Sequence, residues 1–216
     1  MLGIALGLQM TEATIAGARS IQEVLAQFGP QARQRLLPSF KGAGVVYPPR
    51  RLTLLAFKQE RRLEVWAGVA PRAVFIRDYA VLAASGGPGP KLVQGDGQVP
   101  EGIYRVLWLN PNSRFHLSMK LDYPNAFDRR MARSDGRTQL GGDIFIHGNA
   151  VSIGCLAMGD EAIEELFVLV ADTGLENVRV VIAPKDLSKG EETARSAPWA
   201  KELYLRLGNE LRSFRR

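Results

Sequence analysis

The strongest constraint on the fold comes from Arg114–Leu121, where Phe115, Leu117 and Met119 alternate with His116, Ser118 and Lys120. A period of two gives a strand one apolar and one polar face, so the segment predicts a strand covered on one side only. Similar signals surround it. Leu52–Phe57 and Leu63–Trp66 flank the polar Lys58–Arg62 as in a hairpin. Ala73–Ala84 holds a further strand, ended by the breaker-rich Ser85–Gly97, and Ile103–Leu109, Asp143–His147 and Val178–Ile182 complete the set.

Helices frame this middle. Ser20-Ile21-Gln22-Glu23 reads as a capping box, in which serine and glutamate satisfy each other's free amides. It opens a helix carrying Ile21, Val24, Leu25 and Phe28, which Gly29-Pro30 is expected to stop. Asp160–Val170 sets Ile163, Leu166, Phe167 and Val170 on one stripe, and Pro198–Phe214 does the same with Trp199, Leu203, Leu207 and Leu211. The expected fold class is mainly β with peripheral helices, an α+β chain. Expected divisions are an extension over 1–18, a helical segment over 19–46, a catalytic domain over 47–185 and a C-terminal helix within 186–216.

Met1–Met10 is apolar apart from Gln9, and Ala16-Gly17-Ala18 fits a small-x-small cleavage site. No basic residue precedes the apolar stretch, so residues 1–18 read equally as a truncated export signal or as a longer first helix. No apolar run approaches the ~18 residues of a membrane span, so no integral membrane segment is expected.

The formal charge is +6 and the pI near 9.7, which favours a partner carrying negative charge: nucleic acid, anionic membrane or carboxylate-rich cell wall. Only 8% of residues are aromatic, many in strand patterns, so the interleaved aromatics and cations of a nucleic-acid surface are missing. One cysteine excludes an intramolecular disulfide framework, and two histidines with no Cys-x-x-Cys make a His- or Cys-rich metal site unexpected. Gly86-Gly87-Pro88-Gly89-Pro90-Lys91 lacks the Gly-Lys-Ser/Thr of a phosphate loop, and its prolines remove amide donors.

The chemistry concentrates in Ile144–Met158. A strand delivers His147 at its end, and a short loop returns Cys155 just before a helix. Thiolate is the nucleophilic form of cysteine, so a catalytic Cys155 needs a base within reach, and His147 could supply it. Gly154 permits a backbone shape that aims amides inward, toward the oxyanion of a tetrahedral intermediate. A buried, inert cysteine beside a core histidine would give the same letters.

Ile146-His147-Gly148 followed by Ser152-Ile153-Gly154-Cys155 resembles the signature of L,D-transpeptidase catalytic domains of the YkuD type: histidine-glycine, a spacer, then serine-x-glycine-cysteine. Upstream, Val99-Pro100-Glu101-Gly102-Ile103-Tyr104 is similar to the family's strand entry, and Ser118–Asp128, with Tyr123-Pro124-Asn125, is similar to its short-spacer branch. The likeness runs from about Tyr47 to Ile182. The chain departs from many members in having Ile153 where a second histidine stands and Leu156-Ala157 after the cysteine. Both traits, with the short spacer, resemble the branch containing enzymes that detach lipoprotein from peptidoglycan by hydrolysis.

The resemblance implies an L,D-transpeptidase-like β-sandwich core and an activity without metal or organic cofactor. Cys155 would attack a carbonyl of a peptidoglycan stem peptide to form a thioester, and His147 would act as base. The Gly148 carbonyl would orient the imidazole, and the amides of Gly154 and Cys155 would form the oxyanion hole. The thioester would pass to an amine, or to water in a hydrolytic variant (carboxypeptidase or endopeptidase, including lipoprotein release). A non-catalytic wall-binding domain is the remaining reading. Candidate substrate-binding residues are His116 and Ser118 on one strand face, Tyr123 and Asn125, Ser152, and Arg129 and Arg133 for stem carboxylates. The expected partners are stem peptides and, in the lipoprotein-releasing variant, a wall-attached lipoprotein, with no nucleic acid. The expected location is the periplasm or cell envelope.

Overall fold

The computed structural model describes residues 17–189 and 197–214. Nine strands form one mixed sheet: β1 (Leu52–Phe57), β2 (Arg62–Ala67), β3 (Val74–Ala80), β4 (Ala83–Ala84), β5 (Gly102–Ser113), β6 (His116–Leu121), β7 (Phe145–His147), β8 (Leu156–Ala157) and β9 (Val178–Ala183). Their spatial order is β3-β2-β1-β9-β5-β6-β7-β8-β4. β1 pairs with β9, and β7 with β8, in parallel; every other pair is antiparallel. The twelve-residue β5 belongs to both halves, pairing with β9 on one edge and β6 on the other.

Four α-helices complete the described fold: α1 (Ile21–Gly42), α2 (Ala126–Ser134), α3 (Asp160–Thr173) and α4 (Ala200–Arg212). α1 and α3 share one face of the sheet, where Val24, Leu36 and Phe40 join Ile163, Leu166 and Phe167 over Leu54, Tyr104, Leu117, Met119 and Ile146. Glu165 of α3 is buried and satisfied by Arg35 of α1 and by Arg77 and Tyr79 of β3. On the opposite face α4 seats Leu203, Leu207 and Leu211 against Leu55, Phe57 and Val181, and α2 adds Phe127 and Met131. That second layer packs on β1, β2 and β9; on the outer side of β6 and β7, Ser118 and His147 are buried while Lys120 and Phe145 are half-buried. Among the described residues, no helix is long and apolar enough to cross a membrane.

Three expectations change. α1 does not stop at Gly29-Pro30; both Pro30 and Pro38 lie inside it. Proline forfeits one ladder bond, but burial of Val24 before Pro30 and of Ala32, Leu36 and Phe40 after it holds both parts to one surface. Asp128–Arg137 is not simply a charged approach to the next strand, since Ala126–Ser134 forms α2. Third, the short strand β8 intervenes between Cys155 and α3, which begins only at Asp160. The possible signal of residues 1–18 lies almost wholly outside the described residues.

Candidate active site

The face of β6 and β7 that alternates away from the core carries Ser118, Lys120, Phe145 and His147. Ser118 lies opposite His147, and Lys120 opposite Phe145. In the next pair Ile146 faces Leu156 and His147 faces Ala157. Parallel partners point the same way, so Cys155, one residue before Leu156, shares the outer face with Phe145 and His147. The nucleophile candidate is therefore one strand across and two residues along from His147, about 8 Å between backbones. A diagonal of that length is one that two side chains can bridge, and in this state the Cys155 thiol is turned instead to the Asp143 carbonyl.

His147 is held firmly. Its Nδ1 lies 2.6 Å from the Gly148 carbonyl oxygen. Because a carbonyl only accepts, Nδ1 carries the proton, and the neutral ring presents a bare lone pair at Nε2. Phe115 stacks on the ring, with centroids 4.6 Å apart and planes 29° off parallel. Burial pulls the imidazole pKa below its usual value, opposed only by the bond to Gly148. Gly148 must lack a side chain, since a Cβ there would come within 2.7 Å of the Phe115 carbonyl oxygen and of Asp160 Oδ1.

Cys155 is half-buried and reduced. Burial pushes its thiol pKa upward; a backbone hydrogen bond from Phe145 and the charge of Lys91 pull it back, while Asp143 adds to the rise. In this state the thiol donates to the Asp143 carbonyl, with Sγ 3.7 Å from the oxygen. Both shifts favour the neutral forms, thiol and imidazole.

A chain of hydroxyls shapes the loop. The Gly154 amide donates to Ser85 Oγ at 2.5 Å. Ser85 and Ser152 hydroxyls are 3.1 Å apart, and Ser152 donates to the Cys155 carbonyl at 2.6 Å while accepting from the Cys155 amide at 3.2 Å. One proton order satisfies this set: Gly154 N–H to Ser85, Ser85 to Ser152, Ser152 to the Cys155 carbonyl. The chain locks a turn in which Gly154 has φ +95°, a left-handed value that suits glycine. The two amides expected to be open for an oxyanion are therefore already bonded to serine hydroxyls in this state. Ser85, at the end of β4, carried no sequence signal beyond its place in a loop.

The other candidates divide. Ser118 lies at the site, directly across from His147. Ser152 is there too, bonded to the cysteine's own backbone. His116 is not: its backbone is left-handed, φ +70°, which breaks the strand alternation and sends its ring to Glu164 of α3 (2.9 Å) and to Phe28 of α1. Tyr123 is buried and donates to the Leu140 carbonyl. Asn125 caps α2, accepting from the amides of Phe127 and Asp128 and donating to the Ile103 carbonyl. Both are occupied in building the fold. Arg129 and Arg133 lie on the exposed side of α2, and Arg129 bonds the Pro124 carbonyl. Neither pairs with the Cys155 loop among the described residues.

Beside the thiol, Lys120 pairs with Asp143 at 2.6 Å. Lys120 Nζ also lies 5.7 Å from the Phe145 ring centre, and Trp108 meets that ring edge-on at 6.0 Å. Sequence reasoning passed over Trp108 and Phe145, because their meeting depends on pairing among strands distant in the chain. A cleft of about 1000 Å³ between α4 and the sheet, lined by Arg51, Arg179, Arg206 and Phe214, contains neither Cys155 nor His147.

Residues 46–182 match the family model described as the L,D-transpeptidase catalytic domain. A 133-residue stretch is 37% identical to the Escherichia coli (strain K12) protein named "Putative L,D-transpeptidase YafK", covering 59% of this chain and 52% of that one. The chain thus spans about half the length of the curated relatives it matches. Among solved structures, the helical cell shape determining protein Pgp2 from Campylobacter jejuni superposes with a TM-score of 0.52 at 22% identity, over 73% of this chain and 52% of that one. Its K307A mutant gives the same score over 75% and 54%. At that identity the likeness concerns the fold. The family model covers well over half of the sequence, and the chain belongs to the L,D-transpeptidase catalytic domain family.

Proposed function

We propose that this chain is a cysteine acyl-transfer enzyme of the cell envelope acting on peptidoglycan stem peptides. The observation that carries the reading is that Cys155 and His147 share one sheet face, with the histidine's Nε2 bare and its Nδ1 tied to Gly148. A base must be neutral to accept a proton, and burial favours the neutral form of His147. As substrate enters, the thiol turns from the Asp143 carbonyl to Nε2, gives up its proton and attacks the scissile carbonyl carbon. The carbonyl oxygen becomes the oxyanion, and the amides of Gly154 and Cys155 pass to it from the serine hydroxyls. The tetrahedral species collapses as the imidazolium protonates the departing amine, leaving a thioester on Cys155. An acceptor amine then completes transpeptidation; water in its place gives hydrolysis.

The test is mass spectrometry of purified sacculi incubated with the protein and with Cys155→Ala. New crosslinks between diamino acids, or shortened stems, that are missing with the variant are the expected result and identify the acceptor. Sacculi of several compositions left unchanged by folded protein would overturn the reading in favour of a wall-binding domain.

A further inference from the structure

The short strands β8 and β4 set a second polar side chain beside the nucleophile. Ala83 pairs with Ala157 and Ala84 with Leu156, antiparallel, so the next step puts Ser85 opposite Cys155. Opposite residues of an antiparallel pair point to the same face, with Cβ atoms about 5 Å apart. On the other flank of β8 lies β7, which carries His147. Cys155 therefore stands between a base on one neighbouring strand and a hydroxyl on the other. The hydrogen bonds agree, since Ser85 Oγ accepts from the amide of Gly154, the residue just before the nucleophile, at 2.5 Å.

The donors around this hydroxyl outnumber the places for them. Ser152 Oγ has two lone pairs. Three donors reach it: the Ser85 amide at 3.2 Å, the Ser85 hydroxyl at 3.1 Å and the Cys155 amide at 3.2 Å. Its own proton goes to the Cys155 carbonyl. With the Ser85 hydroxyl on Ser152, the Ser85 amide is left over; with the amide there, the hydroxyl is. The two settings hold the loop with equal numbers of bonds, so the Ser85 proton can be lent elsewhere at no loss to the turn.

We propose that Ser85 is a catalytic residue whose hydroxyl donates to the oxyanion of the tetrahedral intermediate, as a third donor beside the amides of Gly154 and Cys155. This rests on the acyl-transfer reading above and adds a side-chain group to it. As the thiol proton passes to His147 Nε2, sulfur bonds the carbonyl carbon and the carbonyl π pair moves onto its oxygen. The leaving nitrogen must face His147, on the β7 side. The oxyanion is a different substituent of the same carbon and is free to face β4. In the resting state Ser85 Oγ fills the place in front of the Gly154 amide where that oxyanion would sit. A turn about χ1 moves the hydroxyl aside, and its proton follows the oxyanion, because a charged acceptor draws a stronger hydrogen bond than a neutral hydroxyl. The Ser85 amide then takes the vacated place on Ser152. Ser85 keeps its proton throughout. When the carbonyl re-forms, the C–N bond breaks, the imidazolium proton goes to the amine and the hydroxyl returns to Ser152.

The test compares two reactions of Cys155. An activated ester, p-nitrophenyl acetate, acylates the thiol through an oxyanion, whereas iodoacetamide alkylates it at a saturated carbon and forms none. Both are followed by mass spectrometry, with Cys155→Ala as the blank. Ser85→Ala is expected to slow acylation about 10²-fold, the effect of losing one oxyanion donor, and to leave the alkylation rate and its pH profile within about twofold of native. Ser85→Thr keeps the hydroxyl and should recover most of the acylation. Ser85→Val has the same shape without the hydroxyl and should not, and this pair carries the comparison if the alanine variant does not fold. Acylation and alkylation falling together would reduce Ser85 to a prop for the loop. Acylation unchanged or faster in Ser85→Ala would make it a bystander or a plug; either result overturns the proposal. Native protein that is alkylated but not acylated would overturn it too. Ser85-dependent acylation by the ester with sacculi left untouched would instead count against peptidoglycan as the substrate while leaving this inference intact.

Discussion

The two halves of the sheet obey different rules. Every residue of β1 is buried, because α1 and α3 cover one face and α4 the other. β5 and β6 bury Val106, Leu109, Leu117 and Met119 on one side and leave Trp108 half-exposed and Lys120 half-buried on the other. A strand covered twice reads as an unbroken apolar run, and one covered once as an alternation. The difference teaches that here chemistry occupies the face for which the fold supplies no helix. Cys155, His147 and Ser118 all belong to that face, where Phe115 rather than a helix lies over the His147 ring.

This division can be broken by substitutions in either half. The largest effect is expected at His147: His147→Gln should lower kcat by about 10²–10⁴-fold, the usual contribution of a general base. Denaturation midpoints should move much less than the rate, since glutamine is a side chain of similar size. A kcat unchanged within error would remove His147 from the chemistry. In the covered half, Leu207 of α4 is completely buried. Leu207→Ala should cost about 2–5 kcal/mol in urea unfolding while the rate per folded molecule stays constant. A loss of activity in molecules still folded would show that the halves are not separate.

A smaller effect sharpens the picture of the site. Phe115 covers the His147 ring and contributes to the burial that holds its pKa below the usual imidazole value of about 6.5. The base works only when unprotonated, so the acid limb of the rate profile should lie below that value in the native enzyme. Phe115→Ala admits water to the ring, and the limb should move up toward it, with a loss of less than about tenfold at neutral pH. An unmoved limb would mean that the acid limb belongs to another group.

The sequence made the doubly covered strands plain, and Leu52–Phe57 and Val178–Ile182 differ from the observed β1 and β9 by at most one residue. The pair His147 and Cys155 was visible as a motif. α2 was missed although Asn125 and Asp128 form a capping box there; tyrosine-proline-asparagine also reads as a turn, and the local signal was given to that. His116 was misplaced because alternation was extended one residue past the strand's core-facing part, into a left-handed turn. β4 and β8 have two residues each and show no period at all. Ser85 and Trp108 could not be found from local pattern, because each acquires its meaning from strands far away in the chain.

The buried pair of Lys58 and Glu101 crosses the boundary between the halves. Glu101 Oε1 accepts from Lys58 at the end of β1 and from the Gly89 amide, while Oε2 accepts from Tyr204 of α4. Lys58 in turn holds the carbonyls of Gly89 and Val99, in the same segment whose first residue, Ser85, grips the nucleophile loop. One carboxylate therefore moors the loop beside the thiol to the sheltered core. A broken partner in such a pair leaves a charge stranded in a dry interior, at about 3–5 kcal/mol. A defect that loosens the catalytic loop from below would then register first as a failure to stay folded, so this segment is free to change only where it faces outward.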